Sequence, residues 1–70
     1  MNFHLSNLEK TFLRVSNYTD LKNAVRMSYE LNYTLEQTIS IAKRMIYDLN
    51  KNTIYKIGRI WITLHIKNHY

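Results

Sequence analysis

The sequence predicts a mainly α-helical domain in which three helices are followed by a C-terminal β-hairpin. Two observations predict this fold. Residues 34–50, and two shorter segments before them, repeat apolar side chains with the period of an amphipathic helix, whereas residues 53–66 contain a run that alternates as a strand does. With 70 residues, of which 46% are apolar, the chain is expected to form a single small domain. A domain this small has a limited core, so we expect it to be stabilised by a homodimer or by another partner.

The first two helices are predicted from their start signals. Ser6 and Glu9 have the spacing of a capping box, in which each side chain bonds the backbone amide of the other residue, and we expect a helix over about 6–16. Thr19 is expected to cap a second helix over about 20–31, with Asp20 in its first turn facing the positive end of the helix dipole.

The third helix, over about 34–50, is the longest of the three, and Thr34 and Gln37 form its capping box. One face is apolar and is assigned to the core: Leu35, Ile39, Ala42, Ile46 and Leu49. The tight connection before it, in which Asn32 tolerates a left-handed conformation, is typical of a helix-turn-helix. A plain helical hairpin inside a bundle would have the same short connection.

The segment 53–66 is interpreted as a hairpin because it is rich in β-branched residues and because Gly58-Arg59 suits a two-residue turn. Three helices plus this hairpin would make a winged helix-turn-helix. The alternative is a four-helix, all-α fold, since Ile54, Ile57, Trp61 and Leu64 also follow a helical spacing.

The net charge of +5 is concentrated in the C-terminal part of the chain. Residues 1–40 balance four cations against four carboxylates, whereas residues 41–70 hold six cations and one carboxylate. An acidic partner is therefore expected, and a polyanion is the commonest one. We predict a protein that binds double-stranded DNA.

Other classes of function are disfavoured. There is one glycine, too few for a phosphate-binding loop, and no cysteine for thiolate chemistry or for a disulfide. The three histidines are scattered, so neither a metal site nor catalytic residues are predicted. No cofactor is expected, and the protein is not expected to be an enzyme. The sequence shows no signal peptide or membrane-spanning run, so we expect a cytoplasmic protein with no membrane partner.

In the DNA-binding interpretation, the third helix enters the major groove and the hairpin lies on the backbone or in the minor groove. Arg44 is the best candidate for a guanine contact, because its planar fork matches two acceptors. The full set of predicted DNA-binding residues is Gln37, Ser40, Lys43, Arg44, Tyr47, Lys51, Lys56, Arg59 and Lys67.

Two runs carry a resemblance to a known family: Ile46-Tyr47-Asp48-Leu49 and Lys56-Ile57-Gly58-Arg59 with Trp61 and Ile62. They resemble the recognition-helix end and the wing of excisionases, small basic winged-helix proteins of phages and integrative elements that are distantly similar to the MerR-type DNA-binding domain. The resemblance covers about a third of the chain, and the segments that usually precede these motifs are missing. It implies site-specific DNA binding and bending that directs an integrase toward excision. A role in transcription regulation is the other function that we expect of a DNA-binding protein of this kind.

A second hypothesis is a small phage or plasmid protein that binds and modulates a host protein. Its basis is the six tyrosines and one tryptophan, which are common interface anchors. The C-terminal aromatic run is also similar to that of Hha-type nucleoid modulators. In this hypothesis the partner is a host or phage protein, such as an enzyme or a nucleoid protein, and dimerisation through a C-terminal strand edge is a third possibility.

Overall fold

The computed structural model describes residues 4–69 and contains four helices in that range: α1 (Asn7–Leu13), α2 (Tyr18–Glu30), α3 (Leu35–Met45) and α4 (Lys51–Asn68). α4 packs chiefly against α2, while α1 packs against both α2 and α3. Apolar side chains from all four helices form one core: Leu8, Phe12, Leu21, Ala24, Val25, Ile41, Ala42, Ile57 and Ile60.

The predicted C-terminal hairpin is wrong, and with it the winged helix-turn-helix. Residues 53–66 lie inside α4, and none of the residues 4–69 belongs to a strand. Ile57 and Ile60 are buried, and Trp61 and Leu64 pack against the core beside them. This stripe has helical spacing, and its burial outweighs the weak strand preference of β-branched residues. The four-helix alternative is the fold that the structure has.

The starts of the helices follow the sequence signals closely. Both predicted capping boxes are present, at Ser6 with Glu9 and at Thr34 with Gln37. The N-cap of α2 differs from the prediction, because the capping residue is Asn17 and not Thr19. The side-chain oxygen of Asn17 accepts a hydrogen bond of 2.8 Å from the amide of Asp20. Asparagine is as good a capping residue as threonine or better, and α2 starts after Asn17, the earlier of the two.

The predicted third helix is too long at its C-terminal end. α3 stops at Met45, and Ile46 has an extended backbone with ψ 118°. Asn50 instead caps α4, accepting a 2.9 Å hydrogen bond from the amide of Thr53. Ile46 and Leu49 still pack against the core, but from a connecting segment rather than from a helix.

The α2–α3 connection has the predicted left-handed residue, since Asn32 has φ 65°. Next to it, Tyr33 packs against the core. Behind this turn lies a buried polar contact in which the hydroxyls of Ser28 and Thr38 share a hydrogen bond. The turn and this contact both connect α2 to α3.

Candidate functional site

Three of the residues predicted to read DNA from α3 lie beside α1. Gln37, Ser40 and Arg44 line a shallow depression together with Ser6 and Glu9. The guanidinium of Arg44 lies 3.5 Å from a carboxylate oxygen of Glu9 and remains 59% exposed. The side-chain oxygen of Gln37 accepts a 2.9 Å hydrogen bond from the amide of Thr34, which uses the acceptor that would otherwise bind a base.

The carboxylate of Glu9 is stabilised in its charged form. The backbone amide of Ser6 donates a 2.9 Å hydrogen bond to it, and this contact is the main reason that the pKa of Glu9 lies below its ordinary value of 4.5. The Ser6 side chain contributes next, and the charge of Arg44 contributes least. The charged form of Glu9 offsets the positive charge of Arg44 beside it, which weakens the attraction of this site for phosphate.

Three more of the predicted residues stand apart from this depression. Lys43 is exposed on α3, Lys51 is exposed at the first position of α4, and Tyr47 is 99% exposed in the turn between the two helices. Tyr47 lines a depression together with Lys56 of α4. Lys43 and Lys51 do not line that depression.

The structure brings two of the remaining predicted cations, Arg59 and Lys67, together with two basic residues of α2 that were not among the predicted DNA-binding residues. A groove of about 380 Å³ runs between α2 and α4. We call it the cationic groove, after the four basic side chains that line it: Lys22, Arg26, Arg59 and Lys67. Its polar lining is completed by Asn23 and Thr63. Two helices thus direct cations into one surface.

Lys56 extends this positive surface at the N-terminal end of α4. Its ammonium lies 5.9 Å from the ring centroid of Tyr18, which also lines the groove. Arg59 is held in place by its own helix, donating a 3.2 Å hydrogen bond to the hydroxyl of Tyr55. These contacts orient the two cations and leave both of them exposed to solvent.

Among residues 4–69, the only cation of the cationic groove in an ion pair is Arg26, which lies 3.8 Å from Glu30. Both side chains are exposed and one helical turn apart, an arrangement that contributes little and can be exchanged for another anion. The groove therefore presents a nearly uncompensated positive charge.

The cationic groove had a signal in the sequence that was missed. Lys22 and Arg26 are four residues apart on α2, and Lys56, Arg59, Thr63 and Lys67 follow one stripe of a helix. These four residues share a face only in a helix, so the prediction of a hairpin over 53–66 did not place them together. The two α2 cations were overlooked because the N-terminal part of the chain has no net charge.

Within the described part of the chain, residues 4–69, no group of three or more His, Asp or Glu side chains is placed to hold a metal ion. Its helices include none that is both long and apolar enough to cross a membrane. The rings of His65 and His69 lie 4.2 Å apart at the end of α4.

Protein-family models, curated proteins and solved structures were each compared with the chain, and none of them matches it. The resemblance to excisionases therefore stays a prediction. Its motif, Lys56 to Ile62, forms part of a helix in this structure rather than a wing.

Proposed function

We propose that this protein binds double-stranded DNA by contacting phosphates with the cationic groove. The observation that carries the proposal is the convergence of Lys22 and Arg26 from α2 with Arg59 and Lys67 from α4. Isolated surface lysines are common and mean little, but basic side chains gathered on one face are the electrostatic footprint of a nucleic-acid-binding protein.

The dimensions of the positive surface suit a DNA strand. Lys56 and Lys67 are eleven residues apart on α4, and a helix rises about 1.5 Å per residue, so they are separated by about 16 Å along the axis. Phosphates on one DNA strand follow each other at about 3.4 Å along the axis, so this length corresponds to roughly five phosphates. α2 adds a second row of cations beside the first.

The proposed contacts position the protein on DNA without reading bases. Ammonium and guanidinium groups on a groove between two packed helices meet the phosphates first, and such contacts carry no sequence information. Arg44, the predicted guanine reader, lines a different depression beside Glu9 and does not line the cationic groove. We therefore infer binding that depends strongly on salt and weakly on sequence.

The biological role that we propose is that of a small DNA-binding protein of a phage or mobile element, acting in recombination or in transcription regulation. A cytoplasmic location is part of this proposal. The support is the basic surface together with the motif residues of α4, Lys56 and Arg59, which are those that resemble excisionases.

The test is a salt titration of binding to a short DNA duplex, followed by fluorescence anisotropy. With four or five phosphate contacts, the slope of log Kobs against log salt is expected to be about −4, since each contact contributes about −0.9. The triple variant Lys22→Ala/Arg59→Ala/Lys67→Ala is expected to lose most of this slope.

A matched control removes the same charge from elsewhere. The triple variant Lys10→Ala/Lys43→Ala/Lys51→Ala changes three exposed lysines that do not line the cationic groove. Its slope is expected to stay close to that of the unmodified protein. Equal losses in the two triple variants would mean that net charge, and not the groove, governs binding, and absence of binding at low salt would refute the proposal.

A further inference from the structure

α4 has a second exposed face that the proposed DNA contacts do not use. Tyr55, Gly58, Ile62 and Ile66 follow each other at i, i+3, i+7 and i+11, and we call this set the outer stripe. Tyr55 is 62% exposed, Ile62 56% and Ile66 49%. The helical phase puts this stripe roughly opposite the buried Ile57 and Ile60. Single exposed apolar residues are ordinary, but an aligned row of them is typical of an interaction surface.

Gly58 has no explanation inside the fold. A Cβ built at this position meets nothing within 4 Å, so no neighbouring group requires a glycine. Its backbone is not in the left-handed region, so the conformation does not require a glycine either. A glycine in the middle of a helix reduces its stability. What the missing side chain provides is a shallow gap in the outer stripe, where a second backbone can approach closely.

The charges around the outer stripe decide what kind of partner fits it. α4 carries Lys51, Lys56, Arg59 and Lys67 and has no carboxylate over its whole length. The hydrogen bond from Arg59 to the hydroxyl of Tyr55 keeps the guanidinium along the edge of the stripe. A second copy of this chain packed helix against helix would put cations opposite cations, which is unfavourable.

We propose that the outer stripe is the docking site for an amphipathic helix of another protein, apolar along one face and rich in Asp and Glu along its edges. Its apolar residues would cover Ile62 and Ile66, with the closest approach at Gly58, while its carboxylates would meet Arg59 and Lys51. Tyr55, Gly58, Ile62 and Ile66 do not line the cationic groove, and Arg59 is the one cation that the two surfaces share.

The probe is a synthetic amphipathic peptide with leucines along one helical face and glutamates on both flanks. It is titrated into the full chain and followed by amide chemical shifts. The largest shifts are expected at Tyr55, Gly58, Ile62 and Ile66. A peptide with the same leucines and with lysines in place of the glutamates is expected to bind about tenfold or more weakly, because its flanking charges are repelled.

Two substitutions at similarly exposed apolar positions complete the test. Ile62→Gln is expected to weaken binding of the glutamate peptide about tenfold, because Ile62 lies at the centre of the outer stripe. Leu31→Gln is the control, since Leu31 is 52% exposed at the end of α2 and lies outside the stripe. It is expected to leave peptide binding unchanged.

Three results would overturn the proposal: equal binding of the two peptides, chemical shifts that map away from the outer stripe, or a concentration-dependent homodimer that Ile62→Gln abolishes. The last result would assign the stripe to a second copy of the chain. DNA binding by the Ile62→Gln variant is expected to match that of the unmodified protein. Failure here is therefore distinguishable from failure of the proposed DNA binding.

Discussion

The hydroxyl of Ser28 on α2 and the hydroxyl of Thr38 on α3 share a hydrogen bond in the fully buried interior. Thr38 also donates a 2.8 Å hydrogen bond to the backbone carbonyl of Thr34. A threonine hydroxyl has a single proton, so Thr38 must accept from Ser28. The direction of the bond follows from this count.

This direction predicts an asymmetry between two substitutions. Ser28→Ala removes a donor and leaves the proton of Thr38 bonded, so a loss of about 1 kcal/mol in the free energy of unfolding is expected. Thr38→Val leaves a buried serine hydroxyl without its acceptor, so a larger loss, up to about 3 kcal/mol, is expected. Urea unfolding of both single variants and of the double variant measures the coupling. Losses that add in the double variant would contradict a direct bond.

The sequence predicted local features of this fold better than its C-terminal element. Helix starts are set by residues three apart, so the capping boxes at Ser6 and Thr34 are readable in the chain and both are present. The segment 53–66 was ambiguous because its apolar residues fit both periods. Only packing decides between a helix and strands here. The burial of Ile57 and Ile60 against the other helices selects the helix.

The sequence predicted the α4 residues of the candidate site but not its α2 residues, because the site depends on how the two helices pack. Lys56, Arg59 and Lys67 were selected from their charge and lie in or beside the cationic groove. Their partners Lys22 and Arg26 belong to a segment with no net charge, and only the packing of α2 on α4 brings them together. Local spacing defines a helix face, but it does not say which other helix completes that face.

The pH dependence of stability is expected to report on Glu9. Its native pKa lies below 4.5, chiefly because of the hydrogen bonds from Ser6, so its contribution is present above that pH. The contribution is lost as the pH falls through the lowered native pKa. Glu9→Gln keeps an acceptor for the capping box but removes the charge. The variant is expected to be less stable near neutral pH and to lose less stability than the unmodified protein as the pH falls below 4.5.

Thermal unfolding in a series of buffers measures this difference. Arg44→Met serves as the companion variant, because the charge of Arg44 is the smallest cause of the shift. It is expected to leave most of the acid sensitivity in place. If Arg44→Met flattened the pH profile as much as Glu9→Gln, the ion pair and not the capping box would be the main source of the shift.

Asn50 is expected to stabilise the start of α4. Its side-chain oxygen accepts hydrogen bonds from the amide of Thr53 at 2.9 Å and from its hydroxyl at 3.2 Å. Asn50→Ala is expected to cost about 1 kcal/mol, which corresponds to a decrease of about 4–8 °C in Tm for a domain of this size. Asn52→Ala, an exposed change in the first turn of the same helix, is the control and is expected to have little effect.

Substitution of two arginines distinguishes the proposed DNA-binding surface from the one that the sequence predicted. Arg59 lines the cationic groove, whereas Arg44 is paired with Glu9. Arg59→Ala is expected to reduce the salt slope of DNA binding by about 1, and Arg44→Ala is expected to leave it nearly unchanged. The reverse order would mean that α3 meets the DNA. Anisotropy titrations at several salt concentrations give both slopes directly.

Gly58 provides the most direct test of the C-terminal helix. In α4 its φ is not positive and a Cβ would meet nothing within 4 Å, so Gly58→Ala costs no contact and removes the flexibility of glycine from the unfolded chain. The variant is expected to gain about 0.5–1 kcal/mol in the free energy of unfolding. A glycine at the first position of a two-residue hairpin turn would have a positive φ, and alanine would then destabilise the protein. Chemical denaturation of this single variant therefore distinguishes a helix from a hairpin, and a lower stability of Gly58→Ala would contradict the four-helix fold.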